Sequence, residues 1–198
     1  KRLIEVDLPI KKISEHARNE KNLRTGHPWH LHIWWARRPW GACRSVELAS
    51  LLPDPGDTNC PKEFIESATE ILTPLGYKPK SSSGQDLRDS LLRFVGDFAE
   101  WELGSKEIYR STAKRLIQAS HPHGNPVVFD PFSGNGAIPG EALRLGCSSI
   151  ALDLNPVANL VLRTLLEAVP RHGHLLLEKF REGADFIKNE AEKRLSTY

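Results

Sequence analysis

The apolar positions of this chain follow two rhythms, and the change between them falls near residue 122. Before it they recur mainly three and four residues apart, the spacing of an amphipathic helix. DLRDSLLRFVGDFAEWELG predicts a helix over 86–104, and SKEIYRSTAKRLIQAS predicts another over 105–120. CPKEFIESATEILTPLG reads the same way, and KISEHARNEKNLR gives a more polar helix closed by TGHP. GACRSVELASLL predicts a helix with Pro39 at its first turn and PDPGD at its end. The opening RLIEVDLPI alternates and reads as a short strand or extended arm, while KPKSSSGQ reads as a linker or mobile loop.

After HPHGNP the order becomes strand, turn, helix, strand. VVF is a continuous apolar run, the pattern of a parallel strand covered on both faces. Ile138, Ala142 and Leu145 share one face of the next helix, which Gly146 caps. CSSIALDL predicts a second strand with Asp153 near its end. Asn155 and Pro156 open a further helix, and a long charged helix, RHGHLLLEKFREGADFIKNEAEKRL, comes after it. The expected fold class is therefore α/β, with a mainly helical segment over 1–122 and the start of an α/β unit over 123–198.

Composition narrows the function classes. The chain has 198 residues, 39% of them hydrophobic and 26% charged, as in a soluble globular protein. No apolar run is long enough to span a bilayer and none resembles a signal peptide, so no membrane partner is expected. Three dispersed cysteines, Cys43, Cys60 and Cys147, make neither a disulfide framework nor a metal set, and a reducing cytoplasm is the expected compartment. Histidines spaced by two occur at His30 and His32, His121 and His123, and His172 and His174. No cysteine or carboxylate completes a ligand set, so no metal is expected. The net charge of +2 is uneven: residues 1–50 carry ten Lys/Arg against five Asp/Glu, together with four of the five tryptophans. Arg37, Arg38, Arg44 and His32 in this block are candidate nucleic-acid contacts. The tryptophans themselves read first as core. The chain contains no methionine, which predicts either a piece of a longer protein or a sequence from which modified methionines have dropped out, in which case some spacings are short by one residue.

The stretch VVFDPFSGNGAIPGEALRLG carries the candidate chemistry. A P-loop would need Lys-Ser/Thr after the glycines, and none is present. A dinucleotide fingerprint needs G-x-G-x-x-G, but here Gly140 falls one position late. An acid before the turn, Asp130, opposes a pyrophosphate and suits a cation. Asp153 is placed to accept bonds from ribose hydroxyls. Together the acids and glycines favour S-adenosylmethionine, whose ammonium and sulfonium are positive, over NAD.

DPFSGNGAIPGEALRLG resembles the S-adenosylmethionine motif Asp-Pro-Phe-x-Gly-x-Gly of amino-methylating DNA methyltransferases. ALDLNPVA resembles the segment after the second strand in those enzymes. The block RLIEVDLPIKKISEHARNEK…GHPWHLHIWWARRP…ACR resembles a domain of unknown function at the start of large adenine-specific DNA methylases. The resemblance covers residues 2–53 and 126–160. It implies a Rossmann-like methyltransferase domain beginning at residue 123 and incomplete in this chain. It also implies that Asp130, Pro131, Phe132, Gly134 and Gly136 form the turn around the methionine part of the cofactor. By the same resemblance Asp153 holds the ribose and Leu154 lies against the adenine. Arg38 and Pro39 are candidates for the proline-opened helix that closes over the methionine end, its first amides facing the cofactor's carboxylate.

Transfer to an exocyclic amine needs Asp or Asn followed by Pro-Pro-aromatic, and no such tetrapeptide occurs. The expected activity is therefore adenine methylation of DNA by the whole protein, with this chain supplying the cofactor half of the site. RNA methylation and a non-catalytic nucleic-acid-binding module are the alternatives. The partners expected are DNA and either a second copy or the rest of the same polypeptide.

Overall fold

The computed structural model describes residues 1–23, 25–33 and 36–196. Its first 120 residues are mainly helical, as the apolar spacing predicts. The helices are α1 (Ile10–Glu20), α2 (Trp40–Leu51), α3 (Lys62–Leu72), α4 (Gly84–Phe98), α5 (Trp101–Ser105) and α6 (Glu107–Ser120). Leu87, Leu91, Phe94, Val95 and Phe98 line one face of α4 and are wholly buried. They meet Phe64, Ala68 and Leu72 of α3, Ala113 and Leu116 of α6, and Leu48 of α2 in one core.

Two local expectations change. The single helix predicted over 86–104 breaks at Ala99 and Glu100, where Glu100 turns extended (φ −65°, ψ 131°). The break exposes carbonyls to the buried Arg44 side chain. Its Nε and Nη2 donate to the Phe98 carbonyl at 2.8 and 2.6 Å, and Nη2 also donates to the Glu100 carbonyl at 2.9 Å. The alternating start forms a short 3-10 turn, Leu3–Glu5, with one antiparallel bridge between Arg2 and Pro53. Leu3 is wholly buried there, so tertiary packing overrides the strand pattern. The Ser-rich stretch is a loop through Ser83, as expected, and its last two residues begin α4, where the Ser83 hydroxyl accepts from the Asp86 amide at 3.1 Å.

The second rhythm gives β1 (Val127–Asp130), α7 (Ala137–Arg144) and β2 (Ser148–Ala151). The strands pair in parallel, from Val127 opposite Ser148 to Asp130 opposite Ala151. Gly146 takes a left-handed φ of 85° after α7, as its capping position requires. Beyond β2 come α8 (Pro156–Leu162), a π-helical segment (Arg163–Ala168) and α9 (Val169–Leu195). The helix α9 is interrupted at Gly173. β1 is not covered on both faces: Val128 packs on the core, but Val127 and Phe129 on the other face are 58% and 57% exposed. A two-stranded sheet with one helical layer has only one face to bury.

One core crosses the change of rhythm, since Ala142, Leu145 and Cys147 join the same cluster as Leu48 and Phe98. The tightest link is between α2 and α7. Gly140 lets α7 approach so closely that a Cβ there would lie 2.6 Å from the Trp40 ring. Beside it, Arg44 faces Glu141 at 3.5 Å, and Glu141 also accepts from Arg144 at 2.9 Å. Both Arg44 and Glu141 are wholly buried. Removing one partner of a buried pair leaves the other charge uncompensated. Arg44→Met should therefore cost about 3–5 kcal/mol in urea unfolding, and Arg44→Lys should not restore it, because Lys lacks the planar fork. A loss below about 1 kcal/mol would show that the pair does not hold the two parts together.

Candidate cofactor site

At the end of β1 the chain makes a tight turn held by two carboxylates. Asp130 is buried, and its Oδ1 accepts from the Phe132 amide at 3.0 Å. The Ser133 hydroxyl donates to the Asp130 carbonyl at 2.9 Å, and the Ser133 amide donates to the Leu152 carbonyl at 2.9 Å. Gly134 (φ 51°) and Gly136 (φ 78°) lie in the left-handed region, so the turn needs glycine at both. Asp153 Oδ2 accepts from the Gly134 amide at 2.8 Å, while its Oδ1 accepts from the Asn155 amide at 2.8 Å. Asp153 therefore ties the turn to the start of α8, and each oxygen keeps a lone pair for a further donor. Around this frame Pro131 is exposed, and the apolar side chains of Phe132 and Leu154 are 83% and 98% exposed. The Asn135 side-chain nitrogen is buried and lacks a hydrogen-bond partner among the described residues.

The start of α2 is not an open anion site. Glu20, at the end of α1, takes its first amides: Trp40 N–H donates to Oε1 at 2.7 Å and Gly41 N–H to Oε2 at 3.0 Å. This corrects the expectation that those amides face a cofactor carboxylate. Glu20 Oε1 also lies 2.8 Å from His27 Nε2, both side chains being buried. The His27 ring stacks on Trp29 at 3.8 Å and lies 4.1 Å from Trp101. Nothing in the local pattern of α1 marks Glu20 as a cap for a helix twenty residues later. Arg38 and Pro39 instead line a groove of about 490 Å³ between α2 and β1, with Cys43, Glu47, Val127 and Ile138.

The basic-aromatic block divides. Arg44, expected at a phosphate, is 1% exposed and committed to Phe98, Glu100 and Glu141, so it does not face nucleic acid. Arg37 and Arg38 are exposed, with the Arg37 guanidinium 5.2 Å from the Trp29 ring centroid, and His32 is half-buried. Trp29 and Trp40 are core residues, whereas Trp34 and Trp35 lie outside the described residues. Among the described residues no three His, Cys, Asp or Glu side chains form a metal-holding group.

Electrostatics single out one further acid, which sequence reasoning missed because a Glu inside a helix carries no signal of burial. Burial, reinforced by Glu141 and Asp130, pushes the Glu47 carboxyl up to about 9. Burial also pushes the neighbouring Cys43 thiol up to about 12, with Glu47 adding to the shift. Burial raises the Glu141 carboxyl above its ordinary value, and Arg44 and Arg144 oppose that shift. The folded value of Glu47 lies above the ordinary 4.5, so folding favours its protonated form. Its contribution is complete below about pH 4.5 and is lost as pH rises toward about 9. Glu47→Gln should thus gain stability relative to the wild type by more than about 1 kcal/mol between about pH 5 and about pH 8. Thermal unfolding of both proteins across that window checks this, and a pH-independent difference would contradict it.

No curated protein and no solved structure matches the chain. Residues 7–72, which run from before α1 through α3, match the family described as a protein of unknown function (DUF1156).

Proposed function

We propose that the chain carries the cofactor-binding part of an S-adenosylmethionine-dependent methyltransferase acting on adenine in DNA. The observation that carries this reading is the glycine turn between two acids, Asp130 at the end of β1 and Asp153 just past β2, with the Asp153 carboxylate bonded to the Gly134 amide. Two carboxylates beside a turn repel a pyrophosphate and attract a cation. The polar atoms still open for bonding fit the same group. Asp153 retains lone pairs for ribose hydroxyls, and Asp130 has one oxygen with no bond in the turn. Leu154, almost wholly exposed, offers an apolar surface for a purine.

When bound, the cofactor supplies an electrophilic methyl group, and this chain's residues bind and orient it. Asp153 fixes the ribose relative to the turn, and Gly134, which is half-buried, lets the ligand reach the main chain, while Gly136 leaves room for Leu162 behind the turn. The target base would need its own acceptors for the amine hydrogens. These 198 residues contain no Asp/Asn-Pro-Pro-aromatic tetrapeptide, so that role is assigned to the whole protein. The DNA side of the proposal is supported by the basic surplus before residue 50 and by the exposed Arg37 and Arg38.

Calorimetric titration of the full-length protein with S-adenosylhomocysteine tests the reading. Binding is expected in the absence of nucleic acid, and Asp153→Ala should weaken it by about 2–3 kcal/mol through lost charge-assisted bonds. NAD binding without S-adenosylhomocysteine binding would overturn the proposal. Radiolabelled methyl transfer to DNA but not to RNA is the outcome expected for the substrate, and the reverse would assign the activity to RNA.

A further inference from the structure

The groove between α2 and β1 contains an acid that its surroundings leave unsatisfied. Glu47 lies two helical turns into α2 and is 8% exposed. Both of its carboxyl oxygens are buried without a hydrogen-bond partner among the described residues. The walls around it, Ala42, Val46, Val127 and Ile138, are apolar. A buried acid that makes no bond costs stability, so its place needs another account.

The groups around Glu47 point to a cation. Glu141 of α7 and Asp130 of β1 add negative charge, and the Cys43 thiol on the same helix is held neutral by burial. The opposing positive charge is Arg44, whose guanidinium is already bonded to two carbonyls and to Glu141. Arg38, at the groove wall, is exposed. The acid thus stands in a pocket of negative field with no cation bonded to it among the described residues, against Val127 and Val128 of the strand whose far end is Asp130.

We propose that Glu47 is the second acid of the cofactor site and that, with Asp130, it takes the ammonium group at the methionine end of S-adenosylmethionine. This rests on the cofactor reading above and adds a residue that neither the glycine turn nor the matched family assigns. The ammonium enters charged. The Glu47 O–H bond breaks, its proton leaves to solvent, and the carboxylate accepts an N–H bond in its place. Binding is therefore coupled to release of a proton, a signature that a purely structural Glu47 would not produce.

The test is calorimetric titration of the full-length protein at about pH 6.5, below the α-amino range, in two buffers of different ionisation enthalpy. The ligands are S-adenosylhomocysteine, which has the ammonium, and 5′-methylthioadenosine, which lacks the amino-acid end. The wild type should release close to one proton per S-adenosylhomocysteine bound and none with 5′-methylthioadenosine. Glu47→Gln, which mimics the protonated acid, should abolish the release. It should also weaken S-adenosylhomocysteine about tenfold or more while leaving 5′-methylthioadenosine unchanged. S-adenosylhomocysteine binding by the wild type without proton release, or equal affinity in Glu47→Gln, overturns the role of Glu47 and leaves the cofactor reading standing. Failure of both ligands to bind the wild type overturns both.

Discussion

A guanidinium with no access to water is the constraint on which the rest of this structure depends. Arg44 is buried between α2, the break after α4, and α7, and a charge so placed must find its full set of partners. It finds the Phe98 and Glu100 carbonyls because α4 stops where it does. It finds Glu141 because Gly140 and Trp40 let α7 lie against α2. Its charge also lies 4.5 Å from the Phe98 ring centroid, which adds a cation–π contact. The helix after the glycine turn is thus fixed by a residue of the helical segment.

A second buried acid completes the platform. Glu20 caps α2 from α1 and is itself met by His27, which Trp29 and Trp101 enclose. The helix α2 is therefore positioned at its first turn by Glu20 and one turn later by Arg44. Pro39 at its N-cap and Glu47 further along it then border the groove beside β1. The link from sequence to site runs through α2: its cap sets its position, its buried arginine sets α7, and α7 sets the turn that joins it to Asp130.

Much of this was legible in the sequence where the signal is local. The spacing of Leu87, Leu91, Phe94 and Phe98 foretold the buried face of α4, and Gly146 foretold the end of α7. Asp130, at the end of β1, and Asp153 meet at the turn of Gly134 and Gly136 as the motif implied, although β2 stops at Ala151 and leaves Asp153 in the loop beyond it. What was not legible depends on contacts far apart in the chain. The break at Glu100 is stabilised by a side chain more than fifty residues earlier, and the cap on α2 by one twenty residues earlier. Arg44 looks like a phosphate contact beside Arg37 and Arg38, and only packing turns it inward. The run VVF looks doubly covered, yet Val127 and Phe129 have no described layer over them.

The central proposal is that Asp130 at the end of β1 and Asp153 just past β2, with Glu47 behind them, form one site for an adenosyl amino acid. A crystal structure of the full-length protein with S-adenosylhomocysteine tests it most directly. The ribose hydroxyls should lie within hydrogen-bond distance of Asp153, the purine against Leu154, and the ammonium between Asp130 and Glu47. Ligand density away from the glycine turn, or an ammonium facing neither acid, would contradict it.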